Sequence, residues 1–384
     1  MNKKRSLTLG ALGLALAVLV SFGFTHKPDD GFVRGKADHQ SIGVLTFAPD
    51  GTLFFADSKG AALYGIKPDG GQADTKTAAI NIRDLDTKIA DMMGVGPRDI
   101  SIVDMATNPT THETYLSVAR GTGNATQYAL LKVSRDGDGR NGKINVVDLN
   151  DVEYTRYALT DAVPEDAKDR RGRSLRTSSI TDIAFHDGEL YVAGLSNEEF
   201  SSTFRRIPFP FKGSQIGSKV EIFHVAHGRY ETNAPIRTFM PMEINGKSHI
   251  VAAYTCTPLV VFPVDDVKDG GHIMGKTAAE LGSNNRPIDI VSFERGGKQH
   301  IVLTNSNRSA MRFDPQDLVK QQTLTEPLDV RFESRGVPYV QLPLVQVLQL
   351  DDLNEDHLVV IERSANGALN FRSLPKQWLS GIRG

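Results

Sequence analysis

The stretch Ser179-Ile-Thr-Asp-Ile-Ala-Phe-His-Asp-Gly-Glu-Leu-Tyr-Val-Ala-Gly194 reads as a strand, a tight turn and a second strand. An apolar run bearing one aspartate meets Asp-Gly, and a second apolar run follows. Short β-branched runs punctuated by Asp-Gly, Asn-Gly or Gly-Gly are hairpin signals. The pattern recurs along the chain, and an internal repeat limits the possible folds more than any single motif does.

The first unit is Ile42-Gly-Val-Leu-Thr-Phe-Ala-Pro-Asp-Gly-Thr-Leu-Phe-Phe-Ala-Asp57, followed by Ala62-Leu-Tyr-Gly-Ile66. Further units begin at Ile102-Val-Asp-Met-Ala106, Ser179, Pro235-Ile-Arg-Thr-Phe239, Pro287-Ile-Asp-Ile-Val291 and Leu344-Val-Gln-Val-Leu348. Each supplies three clear strands, and a weaker outer one would complete a four-stranded blade. The spacing of roughly 50–80 residues suits blades with loop insertions, closed radially so that strand edges are protected. The expected fold is all-β, a single β-propeller over residues 41–384. Six blades are expected, with seven as the alternative if the gap 145–178 hides one. That gap holds the charge-rich stretch 165–173, read as a solvated loop with a docking loop as the alternative. Leu85, Ile89 and Met92 recur at helical spacing and predict a short helix near 82–93.

Aligned first strands place Val44, Asp104, Asp182, Arg237, Asp289 and Gln346 in one column. The innermost strand of each blade borders the central channel, so the column forms a ring. Asp104, Asp182 and Asp289 offer oxygen ligands for a divalent cation, Ca2+ or Mg2+. The structural alternative is that each aspartate accepts neighbouring backbone N–H groups and ties blades together. A second column, Asp57, Arg120, Gly194, Tyr254, Asn305 and Glu362, starts the loops leaving the second strands. Arg237, Asn197, Glu198, Tyr254, Asn305 and Arg308 are thus candidates for a polar ligand at one channel mouth, with turn capping as the competing reading for the Asn residues.

His224-Val-Ala-His227-Gly-Arg-Tyr-Glu231, taken with Cys256, has the residue types of a soft-metal or nucleophilic site. On a strand, however, His-x-x-His sends its two rings to opposite faces, and the spacing matches no zinc pattern. The stretch from Asp136 to Asn145 fails the EF-hand pattern, having Arg140 and Asn141 at its fifth and sixth places, and reads as a hairpin turn.

The N-terminus carries Asn2-Lys-Lys-Arg5, an uncharged run from Ser6 to Phe24, and then charged residues. This predicts a secretory signal over 1–23, cleaved after Gly23, with 24–40 as a flexible linker. An uncleaved inner-membrane anchor is the alternative, because the run reaches the lower limit of a membrane span; contact with a membrane is expected only then. A lone Cys256 excludes an internal disulfide, and an exported chain without one fits a bacterial periplasm. A net charge of −2 gives no general attraction to nucleic acid, and no RNA-binding signature or zinc-finger spacing is present.

Ala48-Pro-Asp-Gly-Thr-Leu-Phe-Phe-Ala-Asp-Ser58 and Asp187-Gly-Glu-Leu-Tyr-Val-Ala193 resemble blades of the six-bladed TolB-like group, which includes NHL-repeat and SMP-30/gluconolactonase-type proteins. The resemblance spans residues 42–371 as repeat grammar. It implies a channel that holds a divalent metal through acidic and amide side chains, although the Glu-Gly-Pro-x-Trp motif of the lactonases is absent. Two functions are expected. One is a binding protein of the cell envelope, monomeric, taking a small polar ligand or an envelope protein. The other is a metal-dependent hydrolase or lactonase using the Asp ring. A quinoprotein-like redox protein is a third reading; no haem-attachment Cys-x-x-Cys-His occurs.

Overall fold

A computed structural model of the chain describes residues 31–68, 79–136, 141–330 and 332–381. The predicted signal over 1–23 and the start of the linker lie outside these residues. The described chain is a β-propeller. Its strands form six radial sets of at least four strands, two of which join in one ten-stranded sheet. Blade I is Leu45–Phe47, Leu53–Asp57 and Ala62–Lys67, with Val152–Ala158 as its fourth strand. Blade II is Ile100–Thr107, Thr114–Arg120, Gln127–Asp136 and Asn141–Val146. Blade III is Asp182–His186, Glu189–Leu195, Ser202–Pro208 and Ser218–His224. Blade IV is Ile236–Ile244, Lys247–Tyr254, Pro258–Pro263 and His272–Glu280. Blade V is Pro287–Arg295, Lys298–Asn305, Met311–Phe313 and Val340–Gln341. Blade VI is Val347–Asp352, His357–Arg363 and Leu369–Pro375, closed on its outside by Asn81–Ile82.

The hairpins follow from their turn residues. Asp187 and Gly188 both have positive φ, as do Asn245 and Gly246, and this is the twist that two-residue hairpin loops require. Strand interiors alternate or run fully buried, and their side chains fill six apolar clusters, one at each junction between neighbouring blades. With one free cysteine and no disulfide among the described residues, these clusters hold the ring closed.

Blade order around the ring differs from order in the sequence. Inner strands touch in the sequence I, III, IV, V, VI, II and back to I. Blade II is therefore inserted between blades I and VI, and its interface with blade VI packs Leu116 and Val118 against Val359 and Ile361. The chain leaves blade I, adds Asn81–Ile82 to the outer edge of blade VI, builds blade II, and returns to complete blade I with Val152–Ala158. Blades III and IV are also fused, because Lys219–Ile222 pair in parallel with His272–Gly275.

Four expectations meet their outcome here. The helix forms as Leu85–Met93, burying Leu85, Ile89 and Ala90, while Met92 turns outward. The linker 24–40 is not free at its described end. Val33–Gly35 adds a fifth strand to blade I by pairing with Val152–Tyr154, and Ala37 is fully buried. The gap 145–178 yields the outer strand of blade I and then an exposed turn in which Arg173 pairs with Asp169. Asp136 and Asn141 pair across the expected hairpin, whose turn residues 137–140 lie outside the described ones.

Candidate functional site

The inner strands surround an axial channel that opens into two cavities, one of about 840 Å3 and the other of about 530 Å3. Asp104, Asp182 and Asp289 line both, so the sequence column does converge on the axis. Asp351 joins them at the larger mouth. Each aspartate reaches across a blade junction to a backbone N–H of the next inner strand. Asp182 accepts from Phe239 at 2.8 Å, Asp289 from Leu350 at 2.7 Å, Asp351 from Thr107 at 2.6 Å and Asp104 from Leu45 at 2.6 Å. All four reach in one rotational sense, from blade III to IV, V to VI, VI to II and II to I. The second oxygen of Asp182, Asp289 and Asp351 accepts the N–H of the following residue. These bonds are the ties between blades that buried carboxylates require.

The ties leave an electrostatic cost. Burial raises the Asp104 pKa to about 8, and the charges of Asp182 and Asp351 push in the same direction. Burial raises Asp182 and Asp351 to about 7 each, with Asp289 adding to the effect on Asp182. Asp289 is held well above the usual carboxylate range by burial and then by Asp104. Backbone donors oppose these shifts without cancelling them, so near neutral pH the ring holds protons or needs a counter-cation.

Two members of the column lie elsewhere. Gln346 is exposed ahead of its strand, in a left-handed conformation. A bulge between Val347 and Gln349 puts Gln349 on the channel instead, where its Nε2 donates to the Val103 carbonyl. A similar bulge between Ile236 and Thr238 turns Arg237 out to the smaller mouth and places Thr238 on the channel wall.

The other polar-ligand candidates do not reach either cavity. Asn197 and Glu198 are exposed at the end of blade III, where Glu198 pairs with Lys219. Tyr254 is buried in the core between blades III and IV. Asn305 is buried and caps its own turn, accepting from Asn285 and donating to the Ser309 carbonyl. Arg308 donates to the Phe332 carbonyl at 2.8 Å. Turn capping explains the Asn305 contacts, whereas Arg308 ties its loop to a distant segment.

The larger mouth is built by the ends of first strands and the hairpins that follow them, with Lys376 added from the turn after the third strand of blade VI. Besides the four aspartates it presents Glu294, Asp352 and Glu355, against His112 and Lys376. Lys376 is itself engaged with Asp352 at 2.7 Å. Sequence alignment of the strands did not point to these loop residues, which follow no repeat.

His224 and His227 behave differently from the strand expectation. Residues Val225–His227 wind into a 3-10 turn, which brings the two rings to the same side with centroids 3.8 Å apart. Both Nδ1 atoms lie 2.7 Å from Glu231, one at each carboxylate oxygen. Burial opposes charge on His224, but Cys256 and Glu231 outweigh it and raise its pKa to about 9. Burial likewise opposes charge on Glu231, yet its bonds to His224 and His227 lower it to about 2.

No family model matches the chain, and no curated protein matches it. Solved structures similar to it include a Thermus thermophilus protein described as an oxidoreductase (glucose dehydrogenase). It is 12% identical, with a TM-score of 0.35 over 90% of this chain and 100% of that one. The PQQ-bound aldose sugar dehydrogenase of Streptomyces coelicolor is 10% identical, with a TM-score of 0.32 over 89% of this chain and 95% of that one. Chaetomium thermophilum Raptor is 10% identical, with a TM-score of 0.33 over 88% of this chain and 25% of that one. Scores this low carry no argument about activity, and the propeller assignment rests on the sheet connectivity itself.

Proposed function

We propose that this chain is an exported, TolB-like propeller that acts as a binding protein of the cell envelope, taking a small polar ligand of positive charge at its larger channel mouth. The observation that carries this reading is the acidic lining of the 840 Å3 cavity, whose ring carboxyls hold protons near neutral pH unless a cation takes their place. Seven carboxylates (Asp104, Asp182, Asp289, Glu294, Asp351, Asp352 and Glu355) line it against one lysine and one histidine. A low-dielectric wall focuses such a field and concentrates cations. The raised pKa values of the ring, set first by burial and then by neighbouring carboxylates, support the same reading, since a bound cation would stabilise the ionised forms.

The test is calorimetric titration of the mature protein with Ca2+, Mg2+ and spermidine, at low and at physiological salt. Saturable binding by at least one probe is expected, weakened by Glu294→Gln and Glu355→Gln without loss of melting temperature. Heats that never saturate, or that both variants leave unchanged, would sink the proposal.

The hydrolase reading has one supporting observation, that Asp104, Asp182 and Asp289 line the same channel wall; their oxygens do not all lie within 4.8 Å of one another, so an ion would need them to close in or would bind fewer of them. Their oxygens suit Ca2+ or Mg2+, and such an ion would polarise a carbonyl or activate water. About one metal per chain by elemental analysis, with lactone or ester turnover abolished by Asp289→Asn, is what this reading requires. A metal-free protein that is inert to lactones and esters removes it.

A further inference from the structure

Outside the channel, four side chains from blades III and IV form a second constellation. His224 ends the outer strand of blade III, and His227 closes the 3-10 turn that follows. Glu231 ends the short strand Arg229–Glu231, which folds back on Ser218–His224. Cys256 comes from the loop after Lys247–Tyr254 in blade IV. One ligand atom from each of His224, His227 and Cys256 lies within 4.8 Å of the other two.

The hydrogen bonds fix which atoms face one another. Glu231 is acceptor-only when ionised, so both imidazoles donate their Nδ1–H to it. Nε2 is then the ring atom that each histidine can offer to a ligand. A carboxylate on the far nitrogen of a histidine is the arrangement that orients metal-binding imidazoles and raises their basicity. The His224 side chain is 1% exposed, and its Nε2 makes no hydrogen bond of ordinary geometry among the described residues, although Cys256 stands near enough to influence it. A buried polar atom without a full partner is costly, and a ligand at that position relieves the cost.

We propose that His224 Nε2, His227 Nε2 and the Cys256 thiolate form a site for a borderline transition-metal ion, best matched by Zn2+, with Glu231 as the positioning residue for both histidines. Two imidazoles and one thiolate are the donor types Zn2+ prefers, and they leave a fourth tetrahedral position open to water. Tetrahedral bond lengths imply ligand-to-ligand separations of about 3.3–3.6 Å, so atoms that lie within 4.8 Å of one another need at most a small closure. His227 is exposed and Cys256 half-buried in a loop, so both can move to make it. Binding displaces the thiol proton and therefore weakens as pH falls. The site is independent of the channel, because none of its members lines either cavity.

The test uses the mature protein equilibrated with micromolar Zn2+ and, separately, Co2+. One Zn2+ per chain is expected, and Co2+ should give tetrahedral d–d bands with a thiolate charge-transfer band that Cys256→Ser abolishes. His227→Gln, at an exposed position, should weaken Zn2+ binding, and Glu231→Gln should weaken it by about 10–100-fold. Asp289→Asn, in the channel, should leave it unchanged. Substoichiometric Zn2+ in the wild type overturns the proposal, as does equal affinity in Cys256→Ser and His227→Gln. If Asp289→Asn is the variant that loses the metal, the ion belongs to the channel and the proposal is again overturned.

Discussion

Asp182→Asn separates the two roles of the channel ring. Asp182 accepts N–H groups from both Phe239 and Ile183. Asparagine keeps one acceptor oxygen and sets its NH2 group against the other donor, at a cost of about 1–3 kcal/mol at any pH. The charge effect depends on pH. The Asp182 pKa is 3.8 before burial and about 7 in the fold, so between those values the folded state binds more protons than the unfolded one. Stability from this group is therefore fully present below pH 3.8 and is lost as pH rises to about 7. Each unit costs about 1.4 kcal/mol, and the two units above pH 5 cost about 3 kcal/mol. The variant escapes that loss, and removing the Asp182 charge also eases Asp104, whose pKa Asp182 helps to raise. Urea midpoints and m-values for both proteins at pH 5 and pH 8, in EDTA, give the comparison. The stability difference should move in favour of the variant by about 3 kcal/mol between the two pH values. A difference that stays constant within about 0.5 kcal/mol would refute the claim that these carboxylates are buried at a cost. If Ca2+ in place of EDTA flattens the wild-type pH dependence and leaves the variant unchanged, a cation binds the ring.

Three further substitutions probe what holds the blades in place. Arg205 is fully buried, its Nε donating to both oxygens of Asp161 at 2.9 and 3.1 Å, with further bonds to the Ser179 and Leu195 carbonyls. Asp161→Asn should cost about 3–5 kcal/mol by stranding that cation, and Asp161→Asn with Arg205→Met should cost less than the two single losses summed, as read from urea midpoints. At Gly194 an added Cβ would lie 2.1 Å from the Ser179 carbonyl oxygen. Backbone cannot yield there as a side chain would, so Gly194→Ala should lower stability by about 1–3 kcal/mol in the same assay. Ile82 is 3% exposed and pairs with Phe371 to close blade VI. Ile82→Ala should cost about 2–5 kcal/mol, with faster hydrogen exchange at Phe371 and Arg372 than in blade IV.

How much of this was legible in the sequence depends on the range of the contact that decides each feature. Asp187-Gly188 and Asn245-Gly246 could be read as hairpins because the turn's own backbone demands residues that tolerate positive φ. The three inner strands of each blade follow from the same local grammar. Asn81–Ile82 could not be found that way, since two residues carry no periodicity and their partner is Phe371 near the far end of the chain. The insertion of blade II between blades I and VI is hidden for the same reason, because which apolar face meets which is decided after the blades exist. The ring shows the limit at single-residue scale. Asp104, Asp182 and Asp289 were found by alignment, whereas one bulge moved Arg237 from the ring to the smaller mouth and another replaced Gln346 with Gln349. A bulge reverses the face of every later side chain in its strand, and nothing in an apolar run announces it. The histidine pair shows the converse: Val225–His227 leaves strand geometry for a 3-10 turn, and a spacing that would separate the rings on a strand brings them together over Glu231. A motif's spacing constrains chemistry only once the backbone that carries it is known, which is why the pair gained its meaning from the turn and from Cys256 in the neighbouring blade.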